Sequence, residues 1–138
     1  MQNTVLIDSG PLIALFDKND AYHTRIDTFL NEHRFQYTTT VAVITEVSHM
    51  IDFSVDVQID FFRWVLNNGV VLFPIVQADL GRIIELTKKY ADRPMDFADA
   101  TLVIAAEKTG IRSIISIDAD FNIYRLTGKV RIVNVFTQ

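Results

Sequence analysis

Five carboxylates stand out by position: Asp8, Glu46, Asp96, Asp99 and Asp118. Asp99 raises the sharpest question. It lies in DRPMDFADATLVIAAEKTG, residues 92–110, a stretch predicted to form a helix that is apolar nearly all the way round from Phe97 to Ala106, with no Lys or Arg inside that run. A carboxylate taken out of water and left unpaired costs several kcal/mol, so it must take up a proton, find a cation or ligate a metal. Asp96 and Asp99 are spaced i, i+3 and share a helix face. Asp8 ends the apolar run TVLID, Asp118 ends RSIISID, and Glu46 lies about a turn and a half into the segment VAVITEVSHMID.

Carboxylates brought into one pocket repel strongly unless cations neutralise them, and divalent metal is the simplest remedy. The chain has no cysteine, and His23, His33 and His49 show no ligand spacing. Oxygen donors alone select hard ions, so Mg²⁺ or Mn²⁺ is expected rather than zinc. A metal pair held by carboxylates suits in-line displacement at phosphorus, and the chemistry expected is phosphodiester hydrolysis. One metal with a carboxylate as general base would serve as well, and the sequence does not choose between them.

Each acid also has a plainer reading. Asp8, before Gly-Pro, can cap a helix; Glu46 can face solvent; Asp96 can be the N-cap of its helix. Asp118 and Asp120 in SIDADF resemble a fragment of a calcium loop, but the other ligands and the glycine of such a loop are missing. One of the two is expected to be a turn residue, and Asp118 is favoured as the ligand.

The elements that must position these groups alternate. Strands are predicted over 4–8, 35–40, 70–75 and 112–118, and near the C-terminus in VRIVNVF. Helices are predicted after Asp8, over 20–33 with Asp20 as cap, over 41–52 and 55–68, from Gln77 to Tyr90, and, beyond Pro94, up to Gly110. Strands separated by helix-length segments imply a three-layer α/β/α domain with a central, mostly parallel sheet of about five strands, one domain over residues 1–138. In such a sheet ligands bind outside the carboxyl ends of the strands, where Asp8 and Asp118 fall.

Bulk composition narrows the classes. A chain of 138 residues, 49% hydrophobic and 22% charged, is ordinary for a globular domain with a filled core. The longest apolar runs, such as VVLFPIV, fall far short of the roughly 20 residues that a membrane span needs. Zero cysteines and the lack of a basic-then-apolar leader predict a reducing, cytoplasmic setting. The formal charge of −4 argues against a broad basic nucleic-acid surface, but acids gathered on cations would leave the basic side chains free to meet phosphate. Arg25, Lys88, Lys89, Arg93, Arg112 and Arg125 are scattered and receive no assignment. Phe61, Phe62 and Trp64 are expected to pack in the core or between copies of the chain.

Four stretches taken together carry a resemblance: IDSGPLIALFD at 7–17, TTTVAVITEVSHM at 38–50, DFADATLVIAAEKTG at 96–110 and IISIDADF at 114–121. In their order and separations the sequence resembles the PIN-domain ribonucleases, and within them the VapC-type toxins of toxin–antitoxin modules. The resemblance places the family's four acids on Asp8, Glu46, Asp99 and Asp118, with Asp96 as an additional acid found in a subset of members. Ser9 and Ser116 match the hydroxyl residues the family sets beside the first and fourth acids. It implies a Mg²⁺-dependent endoribonuclease acting on RNA, a homodimer, and a cognate antitoxin that blocks the groove. A domain that keeps the fold as a nucleic-acid or protein-binding module without turnover is the alternative; loss of one acid would be its signature, and all four are present.

Overall fold

The central strand is TVLI preceded by Asn3, and its last three residues, Val5, Leu6 and Ile7, are all buried. Successive strand side chains point to opposite faces, so burial of consecutive residues means that both faces of the sheet are covered. The computed structural model describes residues 3–93 and 95–136. Its main sheet has five strands, all parallel: β1 (Asn3–Ile7), β2 (Phe35–Thr39), β3 (Val71–Leu72), β4 (Ser113–Ile115) and β7 (Val133–Asn134), in the order β3-β2-β1-β4-β7. A two-stranded antiparallel ribbon, β5 (Arg125–Leu126) with β6 (Val130–Arg131), stands apart from it. The expected α/β/α architecture with a parallel sheet of five strands is the one observed.

Among the described residues six α-helices connect the strands: α1 (Ser9–Phe16), α2 (His23–Glu32), α3 (Val41–Met50), α4 (Val55–Leu66), α5 (Leu80–Lys89) and α6 (Phe97–Thr109). Parallel neighbours require such crossovers, because the chain must return to the same end of the sheet before each new strand. The chain runs outward from β1 through β2 to β3, then returns by α5 and α6 to place β4 on the other side of β1. The reversal of strand order therefore falls between β1 and β4. A crevice opens at the carboxyl ends of strands at such a reversal.

Helix α6 is the most enclosed element. Every residue from Ala98 to Ala106 is buried except Asp99, which is half-buried. It starts on Asp96, whose Oδ1 accepts the Asp99 amide at 2.7 Å, and stops at Gly110, which takes the left-handed φ of 82°. A buried hydroxyl pair ties α6 to the start of α3, where the Thr101 and Thr40 side chains meet at 2.7 Å, and the Thr39 hydroxyl ties β2 to β1 by donating to the Ile7 carbonyl at 2.8 Å. Phe61 is fully buried and Trp64 packs against Phe16 and Tyr37, whereas Phe62 lies exposed on α4.

Several boundaries differ from expectation for local reasons. Helix α2 begins at His23, because the Asp20 carboxylate accepts the Tyr22 amide in a turn and does not cap the helix. Strand β3 is two residues long; the Phe73 amide still reaches the Thr39 carbonyl, and Pro74 has no N–H to continue the ladder. Residues 77–79 form a 3₁₀ turn ahead of α5. Strand β4 ends at Ile115, so Asp118 stands in the following loop and not on the strand. The C-terminal run VRIVNVF divides between β6 and β7, after positive-φ residues Gly128 and Lys129 reverse the chain. Pro94 lies outside the described residues.

Gly110 terminates the helix that carries Asp99, and a β-carbon there meets no neighbour within 4 Å, so the cost of Gly110→Ala is conformational alone. The substitution is expected to lower stability by about 1–2 kcal/mol, read as a lower urea midpoint at unchanged slope.

Candidate active site

Asp8 follows β1 directly, and its amide donates to the Ile115 carbonyl at 3.1 Å. Its carboxylate does two things at once. Oδ1 accepts the Ser9 amide at 2.8 Å and so caps α1, while Oδ2 accepts the Ser116 hydroxyl at 3.0 Å. Glu46, half-buried on α3, receives the Ser9 hydroxyl. One residue of α1 thereby connects the first acid to the second.

Asp118 is exposed in the loop after β4. Its amide donates to Ser116 Oγ at 3.1 Å, and its Oδ1 accepts the Asp120 amide at 2.8 Å, so Asp118 is a turn-forming residue as well as a candidate ligand. Ser116 is itself clamped by Asn134 on β7. The Asn134 Nδ2 donates to the Ser116 carbonyl at 2.9 Å, and its Oδ1 accepts the amides of Ser116 and Phe136 at 3.2 and 3.1 Å. On α6, Asp99 Oδ2 accepts the Tyr124 hydroxyl at 3.0 Å. Asp96 is exposed and its carboxylate is turned back onto the Asp99 amide, the capping role that its position allowed.

The acids feel one another. Burial pushes the Asp8 carboxyl up from 3.8 to about 6, against the Ser9 and Ser116 hydrogen bonds, with the charges of Glu46 and Asp118 adding to the rise. Asp99 is pushed further, to about 8, first by burial and then by the charges of Asp8, Asp96 and Asp118, while Tyr124 acts in the opposite direction. Asp120 is also raised, by burial and by Asp118 beside it. Among the described residues no Lys or Arg makes an ion pair with any of the five candidate acids; the three ion pairs observed join Arg82 to Glu85 and Glu107, and Lys108 to Asp79. The question posed by Asp99 thus has a structural answer: a phenol, not a cation, meets it.

Asp8, Glu46, Asp99 and Asp118, with Asp96 at the edge, therefore occupy one end of the sheet. Their donors are all oxygens, and their charge is not cancelled by any described side chain, which is the chemistry a hard divalent cation fits. As they stand, no three described acidic side chains are gathered closely enough to ligate one ion. Each of the three more enclosed acids is turned onto a hydroxyl instead.

Comparison with known proteins agrees with this geometry. The family model described as PIN domain matches residues 5–126. The chain belongs to the PIN domain family. It is similar to Ribonuclease VapC26 of Mycobacterium tuberculosis, at 22% identity over 116 residues that cover 83% of this chain and 86% of the relative. Among solved structures it is similar in fold to Mycobacterium tuberculosis VapC20, described as a sarcin-ricin loop cleaving toxin, with a TM-score of 0.79, 19% identity, and coverage of 92% of this chain and 98% of that one.

Two residues of this PIN domain's acidic end escaped sequence reading. Asn134 carries a signal in retrospect, an amide side chain in the middle of the apolar run VNVF. Tyr124 carries none, since an aromatic in FNIY reads as core, and its ring is core.

The raised Asp99 has a consequence for stability. Its folded value, about 8, lies above its ordinary value of 3.8, so between these pH values the folded protein holds a proton that the unfolded chain has released. Stability from this group is present at low pH and is lost as pH rises through that window. In EDTA, Asp99→Asn is expected to melt higher than the wild type at about pH 8, with the gap closing towards about pH 4; thermal melts of both proteins across that range check it.

Proposed function

We propose that this PIN domain is a divalent-metal-dependent endoribonuclease that hydrolyses RNA phosphodiester bonds, and that it is the toxin of a toxin–antitoxin pair. One observation carries the reading: Asp8, Glu46, Asp99 and Asp118 come from four separate elements to the end of the sheet where strand order reverses, and among the described residues no cationic side chain is paired to them. The names borne by its relatives, a ribonuclease and a toxin that cleaves the sarcin-ricin loop, support the same class. Among the described residues no helix is long and apolar enough to cross a membrane.

In this reading Asp8, Glu46, Asp99 and Asp118 hold Mg²⁺ or Mn²⁺, with Asp96 assisting from the mouth. A bound divalent cation supplies an activated water and charge neutralisation at the phosphorus under attack. The chain's own residues do the rest. Ser116 holds Asp8 by one oxygen, and Ser9 holds Glu46, so the two acids keep fixed positions relative to each other. Asp8 and Asp99, both raised by burial, are the groups that must give up protons as the cation is taken up. A cognate antitoxin would act by covering this groove. A second copy of the chain would find apolar surface in the groove lined by Val41, Leu72, Phe73, Pro74 and Phe97, where Val41 and Phe97 are more than half exposed.

The test is an RNA cleavage assay with Mg²⁺ and Mn²⁺ titrations on the wild type, Asp8→Asn and Asp99→Asn. Cleavage is expected to need the metal and to stop with EDTA. Each substitution should lower the rate by at least roughly 100-fold while the protein stays folded, since even partners outside the ligand set commonly cost 10- to 100-fold. A wild type that neither cleaves RNA nor binds either ion would hand the fold to the binding-module reading.

A further inference from the structure

Asp99 is the acid most strongly opposed by its surroundings, and the side chain that meets it is a phenol which the proposed chemistry does not use. Tyr124 has no solvent exposure, and its hydroxyl donates to Asp99 Oδ2 at 3.0 Å. The ring has no freedom to follow the carboxylate elsewhere. Tyr90 packs edge-on against it at 5.0 Å and 65°, and Phe121 at 5.2 Å and 84°. The Tyr90 hydroxyl itself is engaged elsewhere, accepting the Arg125 amide at 2.8 Å. On the other side of the bond, Asp99 rides on the first turn of a helix buried from Ala98 to Ala106. Donor and acceptor are thus both carried by rigid parts of the core.

A terminal carboxylate torsion is soft, and a single fixed donor on one oxygen is the simplest way to set it. We infer that Tyr124 is a positioning residue: its hydroxyl engages Asp99 Oδ2 and so fixes the carboxylate with Oδ1 as the oxygen offered to a divalent cation. The inference rests on the metal-dependent reading above. It separates from a purely structural role, in which the phenol only satisfies its own hydrogen bond inside the core. Outer partners that orient a ligand commonly change metal affinity by about 10- to 100-fold when removed.

The experiment is a Mn²⁺ titration of the EDTA-stripped protein, following free ion by electron paramagnetic resonance, on the wild type, Tyr124→Phe and Tyr90→Phe. Both variants lose one phenol hydroxyl from the same aromatic cluster, but only the first loses contact with Asp99. Tyr124→Phe is expected to weaken Mn²⁺ binding by about 10-fold or more, and Tyr90→Phe to leave it near the wild-type value. Equal affinities for Tyr124→Phe and the wild type, or equal weakening by both variants, would overturn the positioning role. A wild type that binds no Mn²⁺ overturns the metal-dependent reading itself, and this inference with it. If Tyr124→Phe does not fold, wild-type protein carrying ζ-¹³C tyrosine decides: the signal displaced by Asp99→Asn must move when Mg²⁺ is added, and one that stays in place refutes the role.

Discussion

The hydrogen bond from the Asp8 amide to the Ile115 carbonyl joins β1 to β4 at the point where strand order reverses, and the geometry of the acidic end depends on it. With that register, the residue after β1 and the residue after β4 are Asp8 and Ser116, side by side at 3.0 Å. A slip of one residue would send each side chain to the opposite face of the sheet. The buried triplets Val5-Leu6-Ile7 and Ile114-Ile115-Ser116 resist such a slip from both faces. Packing of the two central strands and placement of the first acid are one constraint.

The same region works against the stability of the whole. Burial and mutual repulsion raise Asp8 and Asp99, and what answers them is a set of hydroxyls: Ser116 on Asp8, Ser9 on Glu46 and Tyr124 on Asp99. A hydroxyl orients a carboxylate without neutralising it, whereas a lysine would cancel the charge. Elsewhere the protein does use cations in that way, with Arg82 bridging Glu85 and Glu107, and Lys108 held by Asp79. The contrast between the two regions is a difference of purpose that the charge totals do not contain. Strongly perturbed acids in a crevice are a physical mark of functional sites.

Alternation of strand-like and helix-like segments was sufficient to read the three-layer architecture, because parallel neighbours need crossovers and crossovers have a characteristic length. Asp99 was legible as an anomaly, since a carboxylate in an all-round apolar helix has no bland explanation. Asp8 and Asp96 were legible as caps, and the structure shows that role for both; for Asp8, capping and a place in the acidic crevice are not alternatives. The rest depended on contacts between residues distant in sequence. Tyr124 meets Asp99 across 25 positions and Ser116 meets Asp8 across 108, and no local periodicity encodes either. Strand ends were the least legible: VRIVNVF reads as one apolar run, yet it divides at Ile132 between β6 of the ribbon and β7 of the main sheet.

The Asn134 clamp bears on where this unit ends. The family match stops at residue 126, yet Asn134 lies on β7 beyond it and makes three hydrogen bonds, two to the backbone of Ser116 and one to the amide of Phe136. Through Ser116 that amide side chain reaches Asp8 and the Asp118 loop. The portion recognisable by descent and the portion that must be physically present to hold the crevice together are therefore not the same length of chain. A minimal fragment cut at the recognisable edge would keep every acid and lose the edge strand that holds one of their hydroxyl partners in place.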